Sequence, residues 1–195
     1  MVANGAKLMP NTSSNPYNLP NAITAARILL VPYFIWLLFQ PVGDFDLMRW
    51  FATFIFVLGI STDGIDGAIA RRKGLITNLG KILDPIADKA LIGGALVALS
   101  MLGEVPVWAT VAILVRELGI TAYRFIVIRK RVVAASGGGK LKTVSQSIVT
   151  GLIMSPIAGL LPGWFGSIEF GLLVFVVVIT LYTGLQYMIA AWRGR

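Results

Sequence analysis

Six stretches of this chain are almost wholly apolar, and short polar stretches separate them. They fall at about residues 22–40, 50–70, 82–102, 107–128, 144–162 and 167–191. Each reaches the roughly 20 residues that a helix needs to cross the hydrocarbon of a bilayer. Apolar residues run continuously within them rather than alternating, which argues against membrane strands. The pattern predicts an all-α integral membrane protein with six transmembrane helices. Ahead of the first run, "MVANGAKLMPNTSSNPYNLPN" is polar and rich in Asn, Ser and Pro. It has no early apolar segment of the secretory type. Residues 1–20 are expected to form a flexible or interfacial segment. Residues 21–195 are expected to form one membrane domain, because no long polar stretch divides them.

Charge orients this domain. The segments 41–49, 103–106 and 163–169 hold Asp44, Asp46, Glu104 and Glu169 with a single cation, Arg49. The opposite side holds Arg71, Arg72, Lys73, Lys81, Arg129, Lys130, Arg131, Lys140, Lys142, Arg193 and Arg195. Short loops rich in Lys and Arg stay in the cytoplasm. Both termini are therefore expected there, which agrees with an even number of spans. The net charge of +8 is distributed as membrane topology rather than as a nucleic-acid footprint. Trp50, Trp108 and Trp164 sit at the expected outer boundaries, as an interfacial belt does.

Composition narrows the chemistry. The chain is 56% hydrophobic and 13% charged, against about 25% charged for an ordinary soluble domain. It has no cysteine and no histidine. Disulfides, thiolate zinc sites, haem and iron–sulfur ligation lose their usual ligands. Any bound metal must sit on oxygen, and any titrating catalyst must be Asp, Glu, Lys or Tyr.

Against that background, residues 61–94 stand out. "STDGIDGAIARRKGLITNLGKILDPIADKALIGG" holds Asp63, Asp66, Asp84 and Asp88, four of the nine acidic residues. The first pair is spaced i, i+3 and the second i, i+4, so on helices each pair shares a face. A short loop makes the two helices antiparallel neighbours, and four carboxylates meeting near the membrane would repel strongly. Hard divalent cations, Mg²⁺, Mn²⁺ or Ca²⁺, are the simplest compensation. The alternative is pairing with Arg71, Arg72, Lys81 and Lys89. An EF-hand loop is excluded, because "DGIDG" lacks the third acidic position and the closing glutamate. Gly67 and Gly80 suit close approach of a ligand or helix, and Gly93-Gly94 suits helix packing.

Written out, the stretch is Asp63-x2-Asp66-Gly67-x2-Ala70-Arg71-x8-Gly80-x3-Asp84-x3-Asp88. It resembles the signature of the CDP-alcohol phosphotransferases at all eight positions. The resemblance implies attack of an alcohol hydroxyl on the lipid-bearing phosphorus of a CDP-linked lipid, with CMP leaving. It implies two divalent ions, Mg²⁺ or Mn²⁺, on Asp63, Asp66, Asp84 and Asp88, with Asp88 as general base. It also implies a homodimer. The chemistry is coherent: a metal pair clamps the attacking and leaving oxygens of an in-line displacement. Gly67, Ala70, Arg71 and Gly80 fall to the CDP-lipid, with Arg71 suited to a phosphate oxygen. Asn21, Thr24 and Arg27 share a face at the entry of the first helix. They suit nucleotide or phosphate contact, or else a helix cap and interfacial anchor.

Three further stretches bear on the alcohol. "NLPNAITAARILLVPYF", "LVRELGITAYR" and "GKLKTVSQ" resemble the phosphatidylglycerophosphate-synthase branch of bacterial family members. That branch uses CDP-diacylglycerol and sn-glycerol 3-phosphate. Arg116 and Arg124 lie about two helical turns apart on one face. With Lys140 and Lys142 they suit the acceptor phosphate. The alternatives are an Arg116–Glu117 structural network and ordinary loop charge at the lysines. Cardiolipin synthase and phosphatidylinositol-phosphate synthase are alternatives within the family, and a cation transporter using the acidic cluster is one outside it. With no transit peptide in view, the expected location is a bacterial cytoplasmic membrane, with the site at the cytoplasmic side and membrane lipids as surroundings.

Overall fold

The computed structural model describes residues 19–41, 47–73, 78–127 and 137–193; within these, only the backbone is described for 19–20, 63–73, 78–82, 124–127, 137–140 and 193. All regular structure among the described residues is helical. The helices are α1 (Leu19–Leu38), α2 (Leu47–Lys73), α3 (Asn78–Met101), α4 (Val107–Val127), α5 (Gly137–Met154), α6 (Ile157–Leu160) and α7 (Phe165–Arg193). The segment 1–18 lies outside the described residues.

α1 packs on α2 and α3, α4 on α3 and α7, and α5 on α2, α3 and α7. Phe34 of α1 and Phe56 of α2 meet edge to face at 6.0 Å, both fully buried. The glycine pair of α3 serves packing as expected. A Cβ on Gly94 would stand 3.1 Å from Ile35 of α1, and one on Gly93 would stand 3.1 Å from Leu114 of α4. A single helix is thereby brought close to two neighbours.

Two expectations about helix bounds need correction. The fifth apolar run is not one helix, because α5 ends at Met154 and the four-residue α6 follows Pro156. Proline has no N–H for the carbonyl four residues back, here that of Leu152. Ser155 Oγ donates to that same carbonyl at 2.7 Å. Arg49 of α2 serves the next two, with Nε donating to Met154 O at 2.9 Å and Nη2 to Ile153 O at 3.3 Å. A cation at a helix C-terminus also complements the helix dipole. Arg49 pairs with Glu104 as well. Glu104 is held in place by the end of α3, where its N–H reaches Leu99 O and Gly103 N–H reaches Ser100 O. Gly103 there has φ +79°, the left-handed closure that glycine allows. The second correction is at the other end of α5. It begins at Gly137, ahead of the apolar run, so Lys140 and Lys142 stand on a helix and not in a loop.

Large apolar side chains face outward around an apolar core that also buries a few charged and polar groups. Leu29, Met188 and Trp192 are 66–77% exposed, while Arg27, Lys142 and Gln146 are 2–5% exposed. Extended exposed apolar surface marks contact with lipid or a partner. Two helices, over Asn21–Leu38 and Phe165–Trp192, are long and apolar enough to cross a bilayer, and α2 has a shorter apolar stretch at Leu47–Thr62. α3 and α4 carry charge within their length: Asp84, Asp88 and Lys89 in one, Arg116 and Glu117 in the other.

Candidate active site

The acidic motif lies on two packed helices. Asp63, Asp66, Gly67, Ala70 and Arg71 belong to the second half of α2, and Gly80, Asp84 and Asp88 to the first half of α3. Only residues 74–77 separate these helices in sequence, and the two helices are in contact. Helical backbone runs unbroken through both aspartate pairs, which keeps each pair on one face. The side chains of Asp63, Asp66, Gly67, Ala70, Arg71 and Gly80 lie outside the described ones, as do those of Arg124 and Lys140. Among the described residues no three acidic groups come together.

α1 supplies the next wall. Asn21, Thr24 and Arg27 are all buried, at the α3 side of the helix. Thr24 Oγ1 donates to Asp84 Oδ1 at 2.9 Å. Thr24 thus reaches Asp84, Arg27 shares a cavity with Asp88, and Asn21 is buried on the same helix. A side chain that aims a carboxylate oxygen is what a site for hard cations needs, and an all-oxygen donor set fits Mg²⁺ or Mn²⁺.

Asp88 is half-buried and borders two cavities. The first, of about 240 Å³, lies where α1, α2, α3 and α5 meet; Arg27, Ile60, Thr143 and Ser147 are among its walls. The second, of about 40 Å³, lies where α3, α4 and α5 meet, between Asp88, Lys89, Glu117, Lys142, Thr143 and Gln146. Thr143 also lines both. The Asp88 carboxyl therefore stands between a guanidinium on one side and a group of lysines on the other.

Glu117 organises the second cavity. Its Oε1 accepts from Arg116 Nη1 at 2.9 Å and from Lys142 Nζ, and its Oε2 lies 3.7 Å from Lys89 Nζ. Three cations from three helices share one carboxylate. Arg116 continues to α7, where Nη2 donates to Thr183 Oγ1 at 3.1 Å. Its stem lies over Gly184, where a Cβ would come within 2.9 Å. Arg116 thus takes the form of the structural network weighed from the sequence, while Lys142 is buried at the cavity. Lys89, a candidate partner for the aspartates by sequence, faces Glu117 here. Gln146, one turn after Lys142, carried no assigned role, although its i, i+4 spacing from Lys142 put both on one face.

Paired carboxylates on facing helices, a buried arginine beside them and a lysine-lined cavity behind them are the parts of a phosphoryl-group transferase. The chain belongs to the CDP-alcohol phosphatidyltransferase family, whose model matches residues 17–182.

The relatives are bacterial. The chain is 43% identical over 176 residues to the probable phosphatidylglycerophosphate synthase of Mycobacterium tuberculosis H37Rv, covering 90% of this chain and 82% of that protein. It is 35% identical over 190 residues to the CDP-diacylglycerol–glycerol-3-phosphate 3-phosphatidyltransferase of Bacillus subtilis 168, covering 91% and 97%. It is 34% identical over 170 residues to the protein of that name from Rickettsia typhi, covering 85% and 94%.

Proposed function

We propose that the chain transfers the phosphatidyl group of CDP-diacylglycerol to sn-glycerol 3-phosphate, releasing CMP and phosphatidylglycerophosphate. The observation that carries this is the position of Asp88 between two cavities of different character. The CDP-lipid occupies the α1 side, where Arg27 and Thr24 face the aspartates, Asn21 lies on the same helix, and Gly67, Ala70, Arg71 and Gly80 of the motif lie close in sequence. The acceptor occupies the α3–α4–α5 side. Lys142 meets its phosphate there, with Arg124 and Lys140 on the adjoining ends of α4 and α5. Arg116 contributes by holding Glu117 and, through it, Lys142.

The acceptor's terminal O–H gives its proton to the Asp88 carboxylate. Its oxygen forms a bond to the lipid-bearing phosphorus, the bond from that phosphorus to the bridging oxygen breaks, and CMP departs with the electron pair. A positioned base of this kind contributes about 10²–10⁴-fold. Asp63, Asp66, Asp84 and Asp88 would hold two divalent cations, Mg²⁺ or Mn²⁺, which supply charge neutralisation at the phosphates. Asp88 then serves both as a ligand and as the base.

The chain crosses a bacterial cytoplasmic membrane six times, with both termini and the aspartates on the cytoplasmic side, and works as a homodimer. The loop-charge bias and the outward apolar surface support the topology. The proposed function is tested with purified protein, CDP-diacylglycerol, Mg²⁺ and one alcohol at a time. CMP release that requires glycerol 3-phosphate supports it. Release with phosphatidylglycerol instead would assign a cardiolipin synthase, and release with inositol phosphate the third branch.

A further inference from the structure

The second cavity contains an acceptor oxygen that lacks a donor. Gln146 is 2% exposed, and its Oε1 is buried without a hydrogen-bond partner among the described residues. A buried amide oxygen left this way costs free energy, so such groups are paired in working proteins. The cations around it are directed at an anion and not at the amide: Lys142, Lys89 and Arg116 all face Glu117. Asp88 and Glu117, the acids of the same cavity, are acceptors when ionised. Thr143, the hydroxyl on the same wall, has an interaction of its own and leaves the Gln146 oxygen without a donor, so a donor brought by the ligand would complete the cavity.

The ligand's chemistry limits what that donor is. A phosphate dianion presents only acceptor oxygens and does nothing for an amide oxygen. A hydroxyl donates to it, and also accepts from a lysine or an amide N–H. The cavity measures about 40 Å³, enough for one end of a small polyol and not for the whole of it. The acceptor proposed above has two neighbouring hydroxyls, one that reacts and one that does not. We infer that Gln146 takes the hydrogen bond of the non-reacting hydroxyl, and so turns the adjacent terminal hydroxyl toward Asp88. Gln146 would then be the residue that reads the middle hydroxyl of the acceptor, a specificity-determining group distinct from those that hold the phosphate. The inference rests on glycerol 3-phosphate as acceptor.

The test compares glycerol 3-phosphate with 3-hydroxypropyl phosphate, which lacks only the middle hydroxyl. Steady-state kcat/KM is measured for both on wild type, Gln146→Leu and Gln146→Glu, with fold checked by a thermal shift on adding CDP-diacylglycerol. Sites built around a substrate hydroxyl reject the analogue lacking it strongly, so wild type is expected to favour glycerol 3-phosphate by at least about 100-fold. Gln146→Leu should lose far more on glycerol 3-phosphate than on the analogue, collapsing the ratio to within about 10-fold. Gln146→Glu keeps an acceptor oxygen and should keep more of the preference than Gln146→Leu. Wild type using both substrates equally would overturn the inference by itself, whatever the variants do, and would leave a buried water as the amide's partner. A folded Gln146→Leu with the wild-type ratio would overturn it too. Wild type that ignores both phosphates and uses another alcohol would instead overturn the proposed function beneath it.

Discussion

Lys142 of α5 donates to Oε1 of Glu117 on α4, and both side chains are largely buried. The same carboxylate also receives Arg116 and faces Lys89, so one acid balances cations from three helices. Removing a single partner of such a group leaves uncompensated charge, which costs about 3–5 kcal/mol for a buried pair. Glu117→Gln should lower the melting temperature in detergent and abolish most activity. Adding Lys142→Met should restore part of the stability, because it removes one of the stranded cations, and none of the activity. Unchanged stability in Glu117→Gln would mean that the network does not hold α3, α4 and α5 together.

Thr24 should matter through Asp84. Its hydroxyl donates to the carboxylate across two helices, and a hydrogen bond to a charged group is worth ~1.5–3 kcal/mol, less where water competes. Asp84 is exposed, so the lower end applies. Thr24→Val should raise the Mg²⁺ concentration for half-maximal activity by about 10-fold, while Thr24→Ser should stay near wild type. Titration of activity against Mg²⁺ decides this, and an identical midpoint in Thr24→Val would detach Thr24 from the metal site.

The whole reaction should depend on a divalent ion. Four carboxylates in a chain without histidine or cysteine form an all-oxygen donor set, which suits a hard divalent cation. Excess EDTA should abolish CMP release, and Mg²⁺ or Mn²⁺ should restore it. Full activity after verified metal removal would contradict the assignment of Asp63, Asp66, Asp84 and Asp88.

Topology can be tested on a chain that has no cysteine of its own. Gly138→Cys, at the start of α5, should resist a membrane-impermeant thiol reagent added to intact cells and react after lysis. Ready labelling from outside would reverse the orientation read from the loop charges.

How far the sequence carried depended on the range of the interactions. Helical stretches around all six apolar runs were legible because long continuous apolar runs leave little room for strands. The aspartate motif was legible because its spacing is local to two helices. The break at Pro156 was less so, since a proline within an apolar run either kinks or ends a helix, and Arg49 from a distant element helps to settle which. For Lys142 the sequence left loop charge open beside an acceptor-phosphate role, because its partner Glu117 lies 25 residues away. For Arg116 the sequence offered both a phosphate ligand and a network with Glu117, and its contact with Thr183, 67 residues away, leaves no local mark. Gln146 stood in the "GKLKTVSQ" stretch that carries the family resemblance, but without a role, since an unpaired amide is visible only when the walls around it are known.

The central claim is that the terminal hydroxyl of glycerol 3-phosphate attacks the lipid-bearing phosphorus beside Asp88. Glycerol 3-phosphate labelled with ¹⁸O at that hydroxyl, turned over with CDP-diacylglycerol and Mg²⁺, tests it directly by mass analysis of both products. All of the label should appear in phosphatidylglycerophosphate, CMP should carry none, and Asp88→Asn should form neither product at a comparable rate. Label in CMP, or no lipid product from glycerol 3-phosphate at all, would contradict the account.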